Sequence, residues 1–163
     1  LYVAATGKHF VGYAAPRSGK DRTTAPISAR ELHALHVPPF RAAIAAGMAT
    51  VMINSGAIDG VPVHADSTIL RGLLHRTLGF HGVAVSDWED VKKLHTVHRV
   101  ASTQKEAVRL AVRAGLDMSM VPQDVSFATY LTELVREGAV SEARIDESVR
   151  RILALKFALG LFE

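Results

Sequence analysis

Short apolar runs alternate with longer amphipathic helical patterns along this chain, and the alternation restricts the possible folds more than any other feature. The runs cover residues 2–5, 50–53, 82–86 and 118–121 and have the continuous hydrophobicity of strands that are covered on both faces. One helical pattern separates each run from the next, and two consecutive helices follow the fourth run. This order predicts parallel β/α architecture.

The helices have recognisable ends. Ser28 and Thr103 each stand three residues before a glutamate, the spacing of a capping box that opens a helix. We expect Pro38 and Pro39 to interrupt the first helix, because proline lacks a backbone N–H and clashes with the preceding turn. Glycines that can close helices are Gly47, Gly79, Gly115, Gly138 and Gly160.

The predicted fold class is therefore α/β. Four β/α units with two closing helices make about half of a TIM-type (β/α)8 barrel. A doubly wound sheet remains the structural alternative, because β/α alternation does not by itself separate the two folds. The chain has 163 residues, 48% of them hydrophobic, and no low-complexity linker divides it, so we assign one domain.

Composition removes several classes of partner. The net charge is +3, but no run of basic residues forms, so nucleic-acid binding is not expected. No apolar stretch reaches the length of a membrane span, and without cysteine there is neither a disulfide framework nor a thiolate metal site. The chain starts without Met or a charged leader, and we interpret it as a piece of a longer protein whose localisation stays open.

The third apolar run leads directly into an acid and the only tryptophan, Asp87 and Trp88. An oxygen nucleophile beside an aromatic plane suits a site that cleaves carbohydrates, where the acid attacks an anomeric carbon and the ring faces a sugar. Two alternatives remain: Asp87 as the N-cap of the next helix, and Trp88 as a core residue. We interpret Glu89 and Asp90 as the capping and first-turn acids of that helix.

Lys8 and His9 stand just past the first predicted strand. Together they offer donors for vicinal sugar hydroxyls or a phosphate. A solvated lysine with an ordinary loop histidine is equally open, and so is a Schiff-base lysine. Asn54 and Ser55 occupy the corresponding place after the second strand.

No metal or cofactor is expected. His33 and His36 share a helix, and His95 and His98 repeat their spacing, but neither pair has a third ligand in a known arrangement. The chain also contains neither a glycine-rich phosphate loop nor a nucleophilic serine elbow.

A series of motifs in one order resembles glycoside hydrolase family 3, in particular its β-glucosidase-like members. The resemblance covers essentially the whole chain. The motifs are Lys8-His9-Phe10, Pro39-Phe40, Val51-Met52, Gly60-Val61-Pro62, Val85-Ser86-Asp87-Trp88, Ala114-Gly115-Leu116-Asp117-Met118 and Arg144-Ile145-Asp146-Glu147-Ser148.

The resemblance implies a retaining β-glycosidase that hydrolyses terminal non-reducing β-linked sugars, with Asp87 as catalytic nucleophile. It implies that Lys8 and His9 bind sugar hydroxyls, that Met52 belongs to the substrate site, and that Trp88 borders the aglycone. Family members commonly carry a tyrosine where this chain has Ser55. That departure keeps a catalytically dead carbohydrate-binding or scaffold relative as the alternative.

The resemblance further implies that residues 1–163 are the C-terminal half of the family's N-terminal barrel domain, with no second domain in the chain. The partners would then be a β-linked oligosaccharide or glycoside, the other half of the barrel and a following domain. Because the general acid/base would lie outside this chain, we expect the isolated segment to be inactive. The sugar and the linkage stay open.

Overall fold

The computed structural model describes residues 3–162 and contains two small sheets and a set of helices. The strands of the described part are β1 (Thr6–Phe10), β2 (Thr24–Ala25), β3 (Thr50–Ile53), β4 (Ala57–Ile58), β5 (Val61–Pro62) and β6 (Val83–Val85). The helices are α1 (Ala29–Glu31), α2 (Val37–Ala45), α3 (Asp90–Thr96), α4 (Gln104–Ala114), α5 (Ser126–Arg136) and α6 (Glu142–Ala158). Two π-helical segments, Leu32–His36 and Thr68–Thr77, and a 3-10 turn, Val63–Ala65, complete the helical structure.

A parallel sheet in the order β1-β3-β6 forms the centre of the structure. Met118 extends it by a single parallel bridge to Val85, so the fourth predicted strand is reduced to one pairing. Strands β2, β4 and β5 form the second sheet. Asp59 and Gly60 connect β4 to β5 with φ of 47° and 82°, as a tight turn between antiparallel strands requires.

The position of the first strand differs from the prediction. Tyr2 lies outside the described residues, residues 3–5 are not in a strand, and β1 begins at Thr6. Lys8 and His9 therefore lie inside the strand and not after it. The apolar-run criterion failed because Thr6 and Lys8 are polar and exposed, unlike the residues of a strand covered on both faces. The second and third predicted strands are confirmed as β3 and β6.

Both predicted capping boxes begin helices. The Ser28 hydroxyl accepts a hydrogen bond from the backbone N–H of Glu31 at 3.2 Å, and Thr103 accepts one from Glu106 at 3.1 Å. The expected interruption at the prolines was wrong, because the chain stays helical from residue 29 to 45. The π-helical segment Leu32–His36 leads directly into α2, whose first turn contains both prolines.

The two faces of the parallel sheet differ in burial. Val51 and Ala84 are fully buried and belong to the hydrophobic core with the helices. Lys8, Met52 and Val85 are aligned across the three strands on the opposite face, where Lys8 is exposed. This arrangement is part of an α/β barrel, as predicted. Within residues 3–162, none of the helices has the length and apolar character needed to cross a membrane.

Candidate active site

Asp87 lies just beyond the carboxyl end of β6, and its carboxylate is surrounded by donors. Oδ2 accepts a hydrogen bond from the Ser55 hydroxyl at 3.0 Å and lies 3.4 Å from both Nη2 of Arg22 and Nε2 of His9. Oδ1 accepts a hydrogen bond from the backbone N–H of Trp88 at 2.6 Å. The carboxylate thus meets two basic side chains, a hydroxyl and an amide.

These surroundings decide the protonation state of Asp87. Burial is the largest single influence and by itself would raise the pKa. The Trp88 N–H, the Ser55 hydroxyl and the positive charges of Arg22 and His9 outweigh it, so the pKa lies below the ordinary aspartate value. Asp87 is therefore ionised at neutral pH, the state in which a carboxylate is a nucleophile.

The residues around Asp87 come from three neighbouring strands. His9 belongs to β1, Ser55 follows β3 and Asp87 follows β6. Carboxyl ends of parallel strands meet at one edge of the sheet, which is where α/β barrels hold their active sites. Arg22 reaches the same point from the loop after β1, although 65 residues separate it from Asp87.

Side-chain hydrogen bonds fix the backbone on which Ser55 stands. The Asn54 amide donates to the carbonyl of Val11 at 2.7 Å, and its oxygen accepts from the N–H of Gly56 at 2.7 Å. A ring nitrogen of His98 lies 3.3 Å from the Ser55 carbonyl. Because these groups hold the chain on both sides of Ser55, its hydroxyl stays directed at Asp87.

The loop that carries Arg22 is connected to the ring of His9. The ring of Tyr13 lies against that of His9 with centroids 4.3 Å apart and a tilt of 34°, and its hydroxyl donates a 2.5 Å hydrogen bond to Asp21. Asp21 raises the pKa of Tyr13, first through that hydrogen bond and further through its charge, so the phenol stays protonated as the donor. Asp21 directly precedes Arg22, and Tyr13 connects it to His9. The two basic residues beside Asp87 are therefore linked to each other through Tyr13 and Asp21.

The structure agrees neither with Asp87 as a helix N-cap nor with Trp88 as a core residue. The residue that precedes α3 is Glu89, in a left-handed conformation with φ of 57°, so Asp87 is not the N-cap. Trp88 is 49% exposed and is not a core residue. The ammonium of Lys93 donates to the Trp88 carbonyl at 2.8 Å, which holds the turn that presents the indole.

Lys8 and Met52 lie side by side in the register of β1 and β3. Lys8 is exposed. Met52 is half-buried on the same face, where it pairs in turn with Val85.

Sequence reasoning missed two residues. Arg22 carries no local signal, because it lies in an irregular loop and only the folded contact identifies it. Asp90 was expected to be a first-turn acid of α3, and that position is confirmed, but the residue is 2% exposed and faces other charged groups. In the described part of the chain, no three His, Asp or Glu side chains converge to hold a metal ion.

Known proteins are similar to this chain in sequence and in fold. A family model described as "Glycosyl hydrolase family 3 N terminal domain" matches residues 2–155. A lysosomal β-glucosidase of Dictyostelium discoideum is 52% identical over 158 residues, which are 96% of this chain and 19% of the relative. A β-xylosidase of Formosa agariphila is 39% identical over 168 residues, 99% of this chain and 23% of the relative.

A solved structure has the same fold as this chain. The β-glucosidase of Listeria innocua in complex with glucose superposes with a TM-score of 0.92 at 36% identity, over 98% of this chain and 22% of that protein. The chain spans about a fifth of the length of these relatives. The family match over nearly the whole sequence, the identity to these relatives and the shared barrel fold establish that this chain belongs to glycoside hydrolase family 3.

Proposed function

We propose that the protein containing this chain is a retaining β-glycosidase, β-glucosidase-like, in which Asp87 is the nucleophile. The observation that carries the proposal is the ring of donors around the carboxylate: Arg22, His9 and Ser55 at Oδ2 and the Trp88 amide at Oδ1. A carboxylate must be ionised to act as a nucleophile. The donors around Asp87 hold its pKa below the ordinary aspartate value and so keep it ionised.

In the proposed reaction, a carboxylate oxygen of Asp87 forms a bond to the anomeric carbon as the bond to the aglycone oxygen breaks. The aglycone oxygen takes a proton from a general acid outside this chain. Water then attacks the glycosyl ester, gives its proton to the same group and releases Asp87 as carboxylate. Two displacements at one carbon leave the product with the configuration of the substrate.

The other residues of the proposed site bind the substrate. Lys8 and His9 offer hydrogen-bond donors to sugar hydroxyls, and Met52 supplies an apolar contact on the same face of the sheet. The exposed indole of Trp88 borders the aglycone side and covers an apolar sugar face. The named activities of the relatives, β-glucosidase and β-xylosidase, favour terminal β-linked glucose or xylose as the group transferred.

Residues 1–163 make up, on this proposal, the C-terminal half of the barrel domain, and the remaining parts of the active site come from elsewhere in the protein. Retaining enzymes need two carboxyl groups about 5 to 5.5 Å apart, and the proposal places the general acid/base outside this chain. In the described part, β1 pairs with one neighbour only and leaves its other edge unpaired. The isolated segment is expected to be inactive and to self-associate through that edge.

Covalent labelling tests the proposed nucleophile. The whole protein is treated with an activated 2-deoxy-2-fluoro-β-glucoside, which slows hydrolysis of the glycosyl ester, and the labelled peptide is sequenced by mass spectrometry. The expected result is a label on Asp87. Asp87→Ala is expected to lose turnover and to regain it with added azide as an α-glycosyl azide.

Asp59→Asn is the matched control, because Asp59 is an exposed acid in the β4–β5 turn and the asparagine side chain tolerates its left-handed conformation. A label on any other residue would overturn the assignment. Binding of a β-glucoside by the whole protein without turnover or labelling would identify the catalytically dead relative that Ser55 suggests. Robust turnover by purified residues 1–163 would refute the proposed incompleteness of the segment.

A further inference from the structure

A second carboxylate lies buried behind the proposed nucleophile. The Asp90 side chain is 2% exposed, and its Oδ1 forms an ion pair with the ammonium of Lys93 at 2.6 Å. Nε of Arg22 lies 3.9 Å from the same oxygen, while Nη2 of Arg22 lies 3.4 Å from Asp87. The Arg22 guanidinium therefore stands between two acids and directs a different nitrogen to each.

Lys93 donates a hydrogen bond to Asp90, but three other buried polar atoms of the cluster have charged neighbours without a hydrogen bond. Nε of Arg22, Nε2 of His64 and Oδ2 of Asp90 are buried, and none has a hydrogen-bond partner among the described residues. His64 and Asp90 face each other with those two atoms 4.0 Å apart. The attraction between Arg22 and Asp90 therefore acts between charges 3.9 Å apart.

We infer that Asp90 is a positioning residue for Asp87 and acts through Arg22. The inference rests on the proposed function. Without a second acid, a guanidinium beside a carboxylate forms a close two-point pair, which occupies the lone pairs of both oxygens. Asp90 attracts the Nε edge and limits Arg22 to one long contact with Asp87. The nucleophile is kept ionised, and it also stays available to the anomeric carbon.

Other charged and titratable groups surround the cluster and contribute to its field. Asp21 lies 3.9 Å from Nη1 of Arg22, and His9 approaches Asp87 from β1. Burial, the largest influence on His64, lowers its pKa to about 4, so its ring is neutral at neutral pH. His98 also has a lowered pKa, chiefly through burial. The acids of the cluster, Asp21, Asp87 and Asp90, thus face the basic side chains of Arg22, Lys93 and His9.

Asp90→Asn in the whole protein tests the inference, because it removes the charge and keeps the shape. With Asp90 neutral, Arg22 closes on Asp87, so kcat is expected to fall about tenfold with KM changed by less than about twofold. The acid limb of kcat/KM, which reports ionisation of Asp87 in the free enzyme, is expected to move to lower pH. In an Arg22→Gln background, Asp90→Asn is expected to leave the acid limb in place.

Asp117→Asn is the matched control, since Asp117 is a fully buried acid bound by arginines away from the site. It is expected to lower Tm and leave the acid limb unchanged. Asp90→Glu, which keeps the charge, is expected to keep the acid limb of the unmodified protein. If Asp90→Asn does not fold, Arg22→Lys tests the same geometry, because one ammonium cannot span both acids, and kcat is expected to fall similarly.

Three results would overturn the inference: an Asp90→Asn acid limb that stays in place, a shift that persists without Arg22, or an unchanged kcat for Arg22→Lys. These failures are distinct from failure of the proposed function. If Asp87→Ala kept full turnover, the nucleophile itself would be wrong. If Asp87 were essential and labelled while Asp90→Asn behaved like Asp117→Asn, only the role of Asp90 would be rejected.

Discussion

The hydroxyl of Ser55 donates a hydrogen bond to Oδ2 of Asp87 at 3.0 Å and joins the ends of two neighbouring strands. The resemblance to the family predicts a tyrosine at this position. In this protein the short side chain makes the contact itself, because Ser55 follows β3, the neighbour of β6, and the hydrogen bonds of Asn54 fix its backbone. A smaller residue thus supports the acid from a fixed position.

Ser55→Ala is expected to raise the pKa of Asp87, because it removes a donor that stabilises the charged form. The acid limb of kcat/KM in the whole protein should move to higher pH, and kcat/KM at neutral pH should fall about fivefold, the worth of one hydrogen bond. Ser55→Thr keeps the hydroxyl and should restore both. Ser67→Ala, at an exposed serine, should change neither. An unmoved acid limb in Ser55→Ala would contradict the role of Ser55.

Trp88→Ala is expected to weaken catalysis according to the leaving group. The exposed indole offers an apolar plane to the aglycone, so kcat/KM for an aryl β-glucoside should fall about tenfold. For β-glucosyl fluoride, which has almost no aglycone, it should change by less than about twofold. Val125→Ala, at another exposed apolar side chain, is the control. Equal losses on both substrates would instead indicate a general effect on Asp87.

His64 is expected to make the fold sensitive to mild acid. Burial lowers the pKa of His64 to about 4 in the folded protein, whereas in the unfolded chain it keeps its ordinary value of 6.5. The free energy of unfolding is therefore highest above pH 6.5, where His64 is neutral in both states. It declines by about 3 kcal/mol as the pH falls toward 4. Tm of the whole protein should fall across that window. His64→Gln should flatten this decline, and His33→Gln, at an exposed histidine, should not.

Arg144 is expected to be the most stabilising arginine of α6. Its guanidinium donates to the carbonyls of Val112 and Leu116 at 2.9 and 2.8 Å and to the Ser148 hydroxyl at 2.6 Å. The same side chain forms an ion pair with the buried Asp117 at 3.3 Å. Arg144→Met should cost about 3 kcal/mol, because it leaves that network short of a partner.

The control for Arg144→Met is Arg150→Met, in the same helix. The Arg150 side chain is 76% exposed and its pair with Asp146 lies in solvent, so its loss should change Tm little. Thermal unfolding of the two variants in the whole protein provides the comparison. Equal changes in Tm would show that the buried network adds nothing beyond a surface ion pair.

Much of the fold was predictable because its signals are local. The capping boxes at Ser28 and Thr103 act within one helical turn, and the runs at 50–53 and 82–86 record burial on both faces of a strand. The first strand was misplaced because its own residues lack that local signal of burial on both faces. Thr6 and Lys8 are polar and exposed, and the alternate residues Gly7 and His9 are half-buried, so β1 has no continuous apolar run.

The candidate site divides in the same way. The sequence by itself determined that Asp87 ends a buried strand beside an aromatic residue, because strand burial and the following turn depend on neighbouring residues. Only the tertiary structure decided that Arg22 reaches Asp87 and that Asp90 is buried behind both. Those contacts join a loop to a strand end 65 residues away, and electrostatic interactions depend on distance in space, which no local pattern records.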